Sequence, residues 1–118
     1  VSGSADTSAN YDYAQYRLQA QNAFDSTGQT NQTEVNFTGV VIGTTVQSGN
    51  GLLYIYNMGN SSEYTFATNE TTNFYNGQSV AGYQGGAVLT ETQITDGISL
   101  YMSSGNITSG TFTLYKVI

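Results

Sequence analysis

Any chemistry in this chain must come from a short list of side chains. There is no histidine and no cysteine. That removes Ser-His-Asp and Cys-His catalysis and the usual zinc ligands. Glu63, Glu70, Glu91 and Asp96 are of the type that hydrolyses glycosides in pairs, but nothing in their spacing singles out two. Lys116 would need burial and a depressed pKa to act as a nucleophile. It lies among alternating strand residues, where a solvated or interfacial lysine is the simpler reading. Asp25-Ser26-Thr27-Gly28 lacks the alternating Asp/Asn ligands of a calcium loop, and an Asx-turn at Asp25 accounts for it. Gly82, Gly85 and Gly86 are not followed by the lysine or helix of a phosphate loop. No nucleophile, base and electrophile occur together. The expectation is a protein that is not an enzyme and holds no cofactor and no metal.

Two further features bear on binding. Asn-x-Ser/Thr triplets occur at Asn31, Asn36, Asn60, Asn69 and Asn106. A chain this rich in Asn, Ser and Thr produces such triplets by chance, and that reading is preferred to glycosylation. The 10 tyrosines could stack on sugar rings, because Tyr gives rigid amphipathic contact at little entropic cost. Strand periodicity explains most of them as core or subunit interface.

The elements that must position these residues follow from composition and pattern. The chain has 118 residues, in the range of about 100–150 typical of one domain. Charged residues make up 8%, against about 25% in an average soluble domain. Arg17 and Lys116 are the only cations, and the net charge is −6. Such a chain has no electrostatic footprint for phosphates, so no nucleic-acid partner is expected. Anionic membrane surfaces would repel it, and no apolar run is long enough to span a bilayer. The opening VSGSADTSAN is polar and carries no signal-peptide pattern. A neutral polar surface of Ser, Thr, Asn, Gln and Gly around many aromatics fits an ordered extracellular or virion protein.

Turn signals recur at Ser26-Thr27-Gly28, Ser48-Gly49-Asn50-Gly51, Gly59-Asn60-Ser61, Asn76-Gly77, Gly85-Gly86, Asp96-Gly97 and Ser104-Gly105-Asn106. Asn-Gly and Asp-Gly supply the positive φ angles of hairpin turns. Short runs of β-branched and aromatic residues lie between them, the pattern of an all-β sandwich or barrel. In GLLYIYNM, Leu53 and Ile55 share one face, and Leu52, Tyr54 and Tyr56 the other. Tyr64 and Phe66 share a face. Ile98, Leu100 and Met102 share a face in GISLYMSS. In GTFTLYKVI, Phe112, Leu114 and Lys116 lie on one side, with Tyr115 and Val117 opposite. Aromatics on second faces point either to a neighbouring subunit or simply to good strand formers.

Residues 11–24, YDYAQYRLQAQNAF, read two ways. Ala, Gln, Arg and Leu are good helix formers, and Ser8 or Asn10 could cap a helix. Tyr16, Leu18 and Ala20 also alternate as a strand.

ITDGISLYMSSGNITSGTFTLYKVI, residues 94–118, resembles the C-terminal signature of a family of β-sandwich domains in tailed-bacteriophage virion proteins. That signature is an Ile-x-x-Ile-x-Leu/Phe strand, a Ser-Ser-Gly-Asn-Ile turn, then Ser-Gly-Thr-Phe/Ile-x-Leu-Tyr in a last strand. Residues 11–30 are similar to the family's Tyr-Asp-x-Tyr-x-Leu strand and Thr-rich turn. Residues 51–62 are similar to its central Ile-x-Ile-x-Asn strand. Gly85-Gly86-Ala87 precedes the final pair. The most specific part is residues 98–115. Lys116 stands where the family carries glycine, and residues 1–10 are too polar for the apolar strand found there in the family. The resemblance implies a strand, not a helix, over residues 11–24, and a final strand paired in mid-sheet.

The expected fold is therefore all-β, an antiparallel, jelly-roll-like β-sandwich of roughly eight strands with little or no helix. It consists of a polar N-terminal arm over residues 1–10 and a single sandwich domain over 11–118. The resemblance implies a non-enzymatic bacteriophage virion structural protein at the virion surface. It would be a small capsid decoration or cement protein, or alternatively the receptor-binding tip or collar domain of a tail fibre or spike. A secreted carbohydrate-binding module or extracellular filament subunit is a third reading. The expected partners are other virion proteins, further copies of the chain, with a trimer from the family's settings and the prevalence of symmetry, and a host glycan. The interface residues expected are Tyr54, Tyr56, Tyr115 and Val117.

Overall fold

The computed structural model describes residues 3–21, 23–38, 49–75 and 79–118. Its core is one sheet built from β1 (Tyr11–Gln19), β2 (Ala23–Gln32), β3 (Asn50–Tyr56), β4 (Thr65–Tyr75) and β5 (Ser79–Leu89). The spatial order is β2-β1-β5-β4-β3, and every neighbouring pair is antiparallel. No helix occurs among the described residues. The all-β expectation holds.

Residues 11–19 form a strand against helix propensity, but the strand expected over 11–24 turns at residues 20–21 and continues as β2, so Ala20 is not part of it. β1 is flanked by β2 on one side and β5 on the other, so its backbone groups are satisfied on both edges. Such a ladder outweighs the tenths of a kcal/mol by which Ala, Gln and Leu favour helix, since propensity is overridden readily by tertiary pairing. A bulge interrupts the β1–β2 register between Tyr11 and Tyr13. Asn31 takes a left-handed φ of 56° there, and its N–H donates to Asp12 Oδ1 at 2.8 Å. Asn tolerates this conformation better than most residues.

Three glycine signals misled the turn reading, and one of them, Asn50-Gly51, opens β3. Ser26-Thr27-Gly28 lies inside β2 and Gly85-Gly86 inside β5. At Gly85 the reason is proximity: an added Cβ would sit 2.3 Å from the Ala14 carbonyl oxygen. Asp25 is likewise in β2 rather than an Asx-turn, and its carboxylate pairs with Arg17 at 2.5 Å directly across the ladder. The turn at residues 57–60 holds: Asn57 has φ 65° and Asn60 N donates to Asn57 O at 3.0 Å. Gly105 has φ 75°, as a turn there requires. The Asn76-Gly77 signal falls on residues 76–78, outside the described residues.

The largest departure lies at the end of the chain. The strands expected at residues 98–102 and 111–117 do not form, and residues 90–118 contain no strand. The ladder has five strands rather than eight among the described residues. Alternation records burial against a partner sheet, and no strand ladder forms along these segments. Ile98, Leu100, Phe112, Leu114, Tyr115 and Val117 are all exposed.

The sheet has two unlike faces. Gln15 pairs with Thr27 and Gly85, and Gly85 with Asn69, so these share one face. That face is covered: Gln15, Thr65, Asn69, Asn73, Ser79, Ala81, Tyr83 and Leu89 are buried. Residues 36–38 lie over it. Phe37 O accepts from Asn69 Nδ2 at 3.1 Å and Thr71 Oγ1 at 3.2 Å, and Thr38 Oγ1 accepts from Asn73 Nδ2 at 2.7 Å. The opposite face is open.

Candidate functional site

The open face carries the larger apolar side chains. Leu18, Phe24, Leu52, Tyr54, Tyr56, Phe66, Phe74 and Val80 are all exposed there. The register sorts its middle into three rows running across the strands. Ser26, Tyr16, Gln84, Glu70 and Leu52 form one row. Gly28, Ala14, Gly86, Thr68 and Tyr54 form the next. Asp12, Val88, Phe66 and Tyr56 form the third. The middle row is made of small residues until it reaches Tyr54. It is the floor of a trench whose walls are the larger side chains on either side.

The trench is a shallow, open depression of about 790 Å³, with Tyr16, Tyr54, Tyr56, Glu70 and Gln84 among its lining residues. One wall is a connected polar chain: the Tyr16 hydroxyl donates to Gln84 Oε1, and Gln84 Nε2 donates to Glu70 Oε1 at 2.8 Å. Tyr16 also packs on Phe24, ring centroids 5.9 Å apart and tilted by 34°, within the centroid separation that aromatic pairs favour. The arrangement offers aromatic faces, one amide and one carboxylate. It offers no nucleophile and no base–acid pair.

Tyr54 and Tyr56 stand together on this face, alternating with half-buried Leu53 and Ile55 as the pattern required. Tyr115 and Val117 are elsewhere, on the exposed C-terminal segment. Phe24 and Gln84 were not singled out by sequence, where Tyr16 and Phe66 figure only as strand residues and Glu70 only as a candidate carboxylate. The alternation of Tyr16 with Leu18 was visible, but the Gln84–Glu70 contact depends on register between strands. Of the four carboxylates considered for catalysis, Glu70 sits in the trench wall and Glu91 beyond β5, where it accepts from Asn10 Nδ2 at 2.8 Å. Glu63 and Asp96 are exposed in loops. No group of three or more acidic side chains that could hold a metal occurs among the described residues. Asn69, one of the glycosylation triplets, is buried with its amide donated to Phe37 O, so a glycan there would break the covered face.

The far end of the sheet is tied to both chain ends. Asn10 O accepts from Thr90 N at 2.8 Å and from Thr90 Oγ1 at 2.9 Å. Asp6 accepts from Ser8 N at 2.9 Å and Gln93 Nε2 at 2.7 Å. The Ser8 hydrogen bonds, with help from Gln93, hold the Asp6 carboxyl below its ordinary value. Thr95 N donates to Met58 O at 2.7 Å. The Tyr101 hydroxyl donates to Glu34, and that bond raises the phenol's pKa. Burial raises Tyr11, helped by the nearby Asp6 and Glu91 charges. Residues 6–10 thus lie on their own chain, against residues 90–93.

Compared with known proteins, the chain matches no family model, no curated protein and no solved structure.

Proposed function

We propose that this chain is a non-enzymatic structural protein of a tailed-bacteriophage virion, working by adhesion at the particle surface. One observation carries the reading: the more apolar face of the sheet is the uncovered one. Monomeric soluble proteins rarely leave a contiguous apolar patch of more than a few hundred Å² uncovered, and larger ones mark interaction surfaces. The resemblance of residues 94–118 to a virion β-sandwich signature supplies the setting. In this reading the finished fold is a jelly-roll-like sandwich, the present sheet being one layer and the second layer assembled over the open face. The uncovered apolar face favours a capsid decoration or cement protein bound to neighbouring virion subunits.

A second reading rests on the trench itself. Tyr16, Tyr54 and Tyr56 beside the Gln84–Glu70 pair suit a neutral oligosaccharide. That fits the tip or collar domain of a tail fibre, or a secreted carbohydrate-binding module. The deciding measurement is the molar ratio of this chain to the major capsid protein in purified particles, by quantitative mass spectrometry. A ratio of one or a simple fraction is expected. A trace ratio moves the protein to the tail, and absence of capsid protein removes the virion reading.

A further inference from the structure

Two unpartnered apolar surfaces coexist in this molecule. One is the open sheet face. The other is the segment 98–118, whose Phe112, Leu114, Tyr115 and Val117 are exposed, Leu114 at 85% and Val117 at 86%. Both have strand periodicity, and neither covers the other. The chain's own tethers explain why. After β5 the segment is held at Thr90 by Asn10, at Gln93 by Asp6 and at Thr95 by Met58. Thr95 also meets Thr65, a residue of the covered face. Tyr101 is then bonded to Glu34, on the stretch that leads to residues 36–38 over that same face. The tethers direct the segment away from the open face of its own sheet.

We infer that residues 111–117 of one copy close the open sheet face of a second copy, laid as a strand over the trench with Lys116 set against Glu70. The inference rests on the reading of the protein as an adhesion module. Charge selects this occupant. Lys116 is the one cation after Arg17, and no ion pair to it forms within the described residues. Glu70 is exposed in the trench wall, where its Oε1 accepts from the neutral Gln84 amide. Alternation puts Phe112, Leu114 and Lys116 on one side of a strand. A strand laid with that side down delivers two apolar side chains and one ammonium to a trench walled by Leu52, Phe66 and Tyr56 and holding one carboxylate. Sheets stacked this way lie about 10 Å apart, which is the reach of those side chains. Exchange through residues 111–117 keeps every tether in place, the Tyr101–Glu34 bond included.

The chain has no cysteine, so engineered thiols report without background. Full-length chain carrying Leu52→Cys is mixed with full-length chain carrying Leu114→Cys and oxidised. A cross-linked pair in the mixture, absent from a control pairing Gly59→Cys with Leu114→Cys, is the expected result. A chain carrying both Leu52→Cys and Leu114→Cys that cross-links only within itself places the segment on its own sheet and overturns the inference. So does light scattering that finds a monomer at all concentrations. Glu70→Lys and Lys116→Glu are each expected to weaken self-association at least about 10-fold, and the two together to restore it. Two weakened single variants with no rescue would remove the charge contact and with it the stated register. A monomer that binds neutral oligosaccharide in the trench overturns the inference in favour of the sugar reading. An oligomer of the expected design that is missing from phage particles keeps this inference and removes the virion role, so the two fail separately.

Discussion

A side chain at position 85 would collide with the neighbouring strand. An added Cβ meets the Ala14 carbonyl oxygen at 2.3 Å and Gln15 Cβ at 2.5 Å, and both belong to a central strand that cannot give way cheaply. Gly85→Ala is expected to destabilise the fold by about 1–3 kcal/mol, the usual cost of overpacking. Gly59→Ala, where nothing lies within 4 Å, should stay within about 0.5 kcal/mol. Equal urea midpoints for the two variants would contradict the close approach. The two chain ends titrate in opposite senses. Asp6 has its pKa lowered by the Ser8 and Gln93 hydrogen bonds, so its stabilising share is present above the ordinary carboxylate value of about 3.9 and lost as pH falls through the lowered one. The Tyr101 pKa is raised by its bond to Glu34, so that bond contributes below the ordinary phenol value of about 10 and is lost as pH rises through the raised one. In a spectrophotometric titration, Tyr101→Phe should remove a late-ionising component of the tyrosinate absorbance. Loss of an early component instead would place Tyr101 away from Glu34.

At the scale of elements, the N-terminal arm acts as a clasp. Asn10 and Asp6 hold Thr90 and Gln93, and that anchors the start of the C-terminal segment beside β5. Deleting residues 1–9 removes the Asp6 bonds and loosens Asn10. Amide exchange should then quicken over residues 90–95 by about 10-fold or more, while β1 and β5 stay protected, because local opening follows local bonding. Unchanged exchange there would show that the arm carries no load. The sequence disclosed these elements unevenly, for physical reasons. β3 was legible because Leu53 and Ile55 alternate with Leu52, Tyr54 and Tyr56 over a full strand. β1 was ambiguous because YDYAQYRLQ fits both periods, and pairing to β5 across some 70 residues of chain leaves no local trace. Glycine was misread at positions 28 and 85 because a missing side chain serves a close strand approach as well as a turn. Of the trench, the Tyr54–Tyr56 wall was visible, but the opposite wall of Tyr16, Gln84 and Glu70 exists only once three strands are in register.

For the whole molecule, the distribution of polarity over the two faces is inverted. The covered face buries Gln15, Asn69 and Asn73, and Gln15 Oε1, Asn73 Oδ1 and the Tyr83 hydroxyl have no hydrogen-bond partner there among the described residues. Each such orphan costs on the order of 1–3 kcal/mol. The open face, meanwhile, leaves Leu18, Phe24, Leu52, Phe66 and three tyrosines in water. A lone sheet arranged this way forgoes much of the stabilisation its side chains can give, at about 25 cal/mol for each Å² of apolar surface left uncovered. Closing the open face recovers it. Association should therefore carry the mark of apolar burial, a clearly negative heat-capacity change, in dilution calorimetry at several temperatures. Salt gives an independent reading. With 8% of residues charged, few ionic contacts can form between copies, and at 1 M salt screening reaches down to about 3 Å. Self-association should weaken only modestly between 0.1 and 1 M sodium chloride, by the share owed to one pair such as Glu70–Lys116. Dissociation to monomers over that range, with a heat-capacity change close to zero, would mean that charges hold the copies together and that the apolar face stays in water.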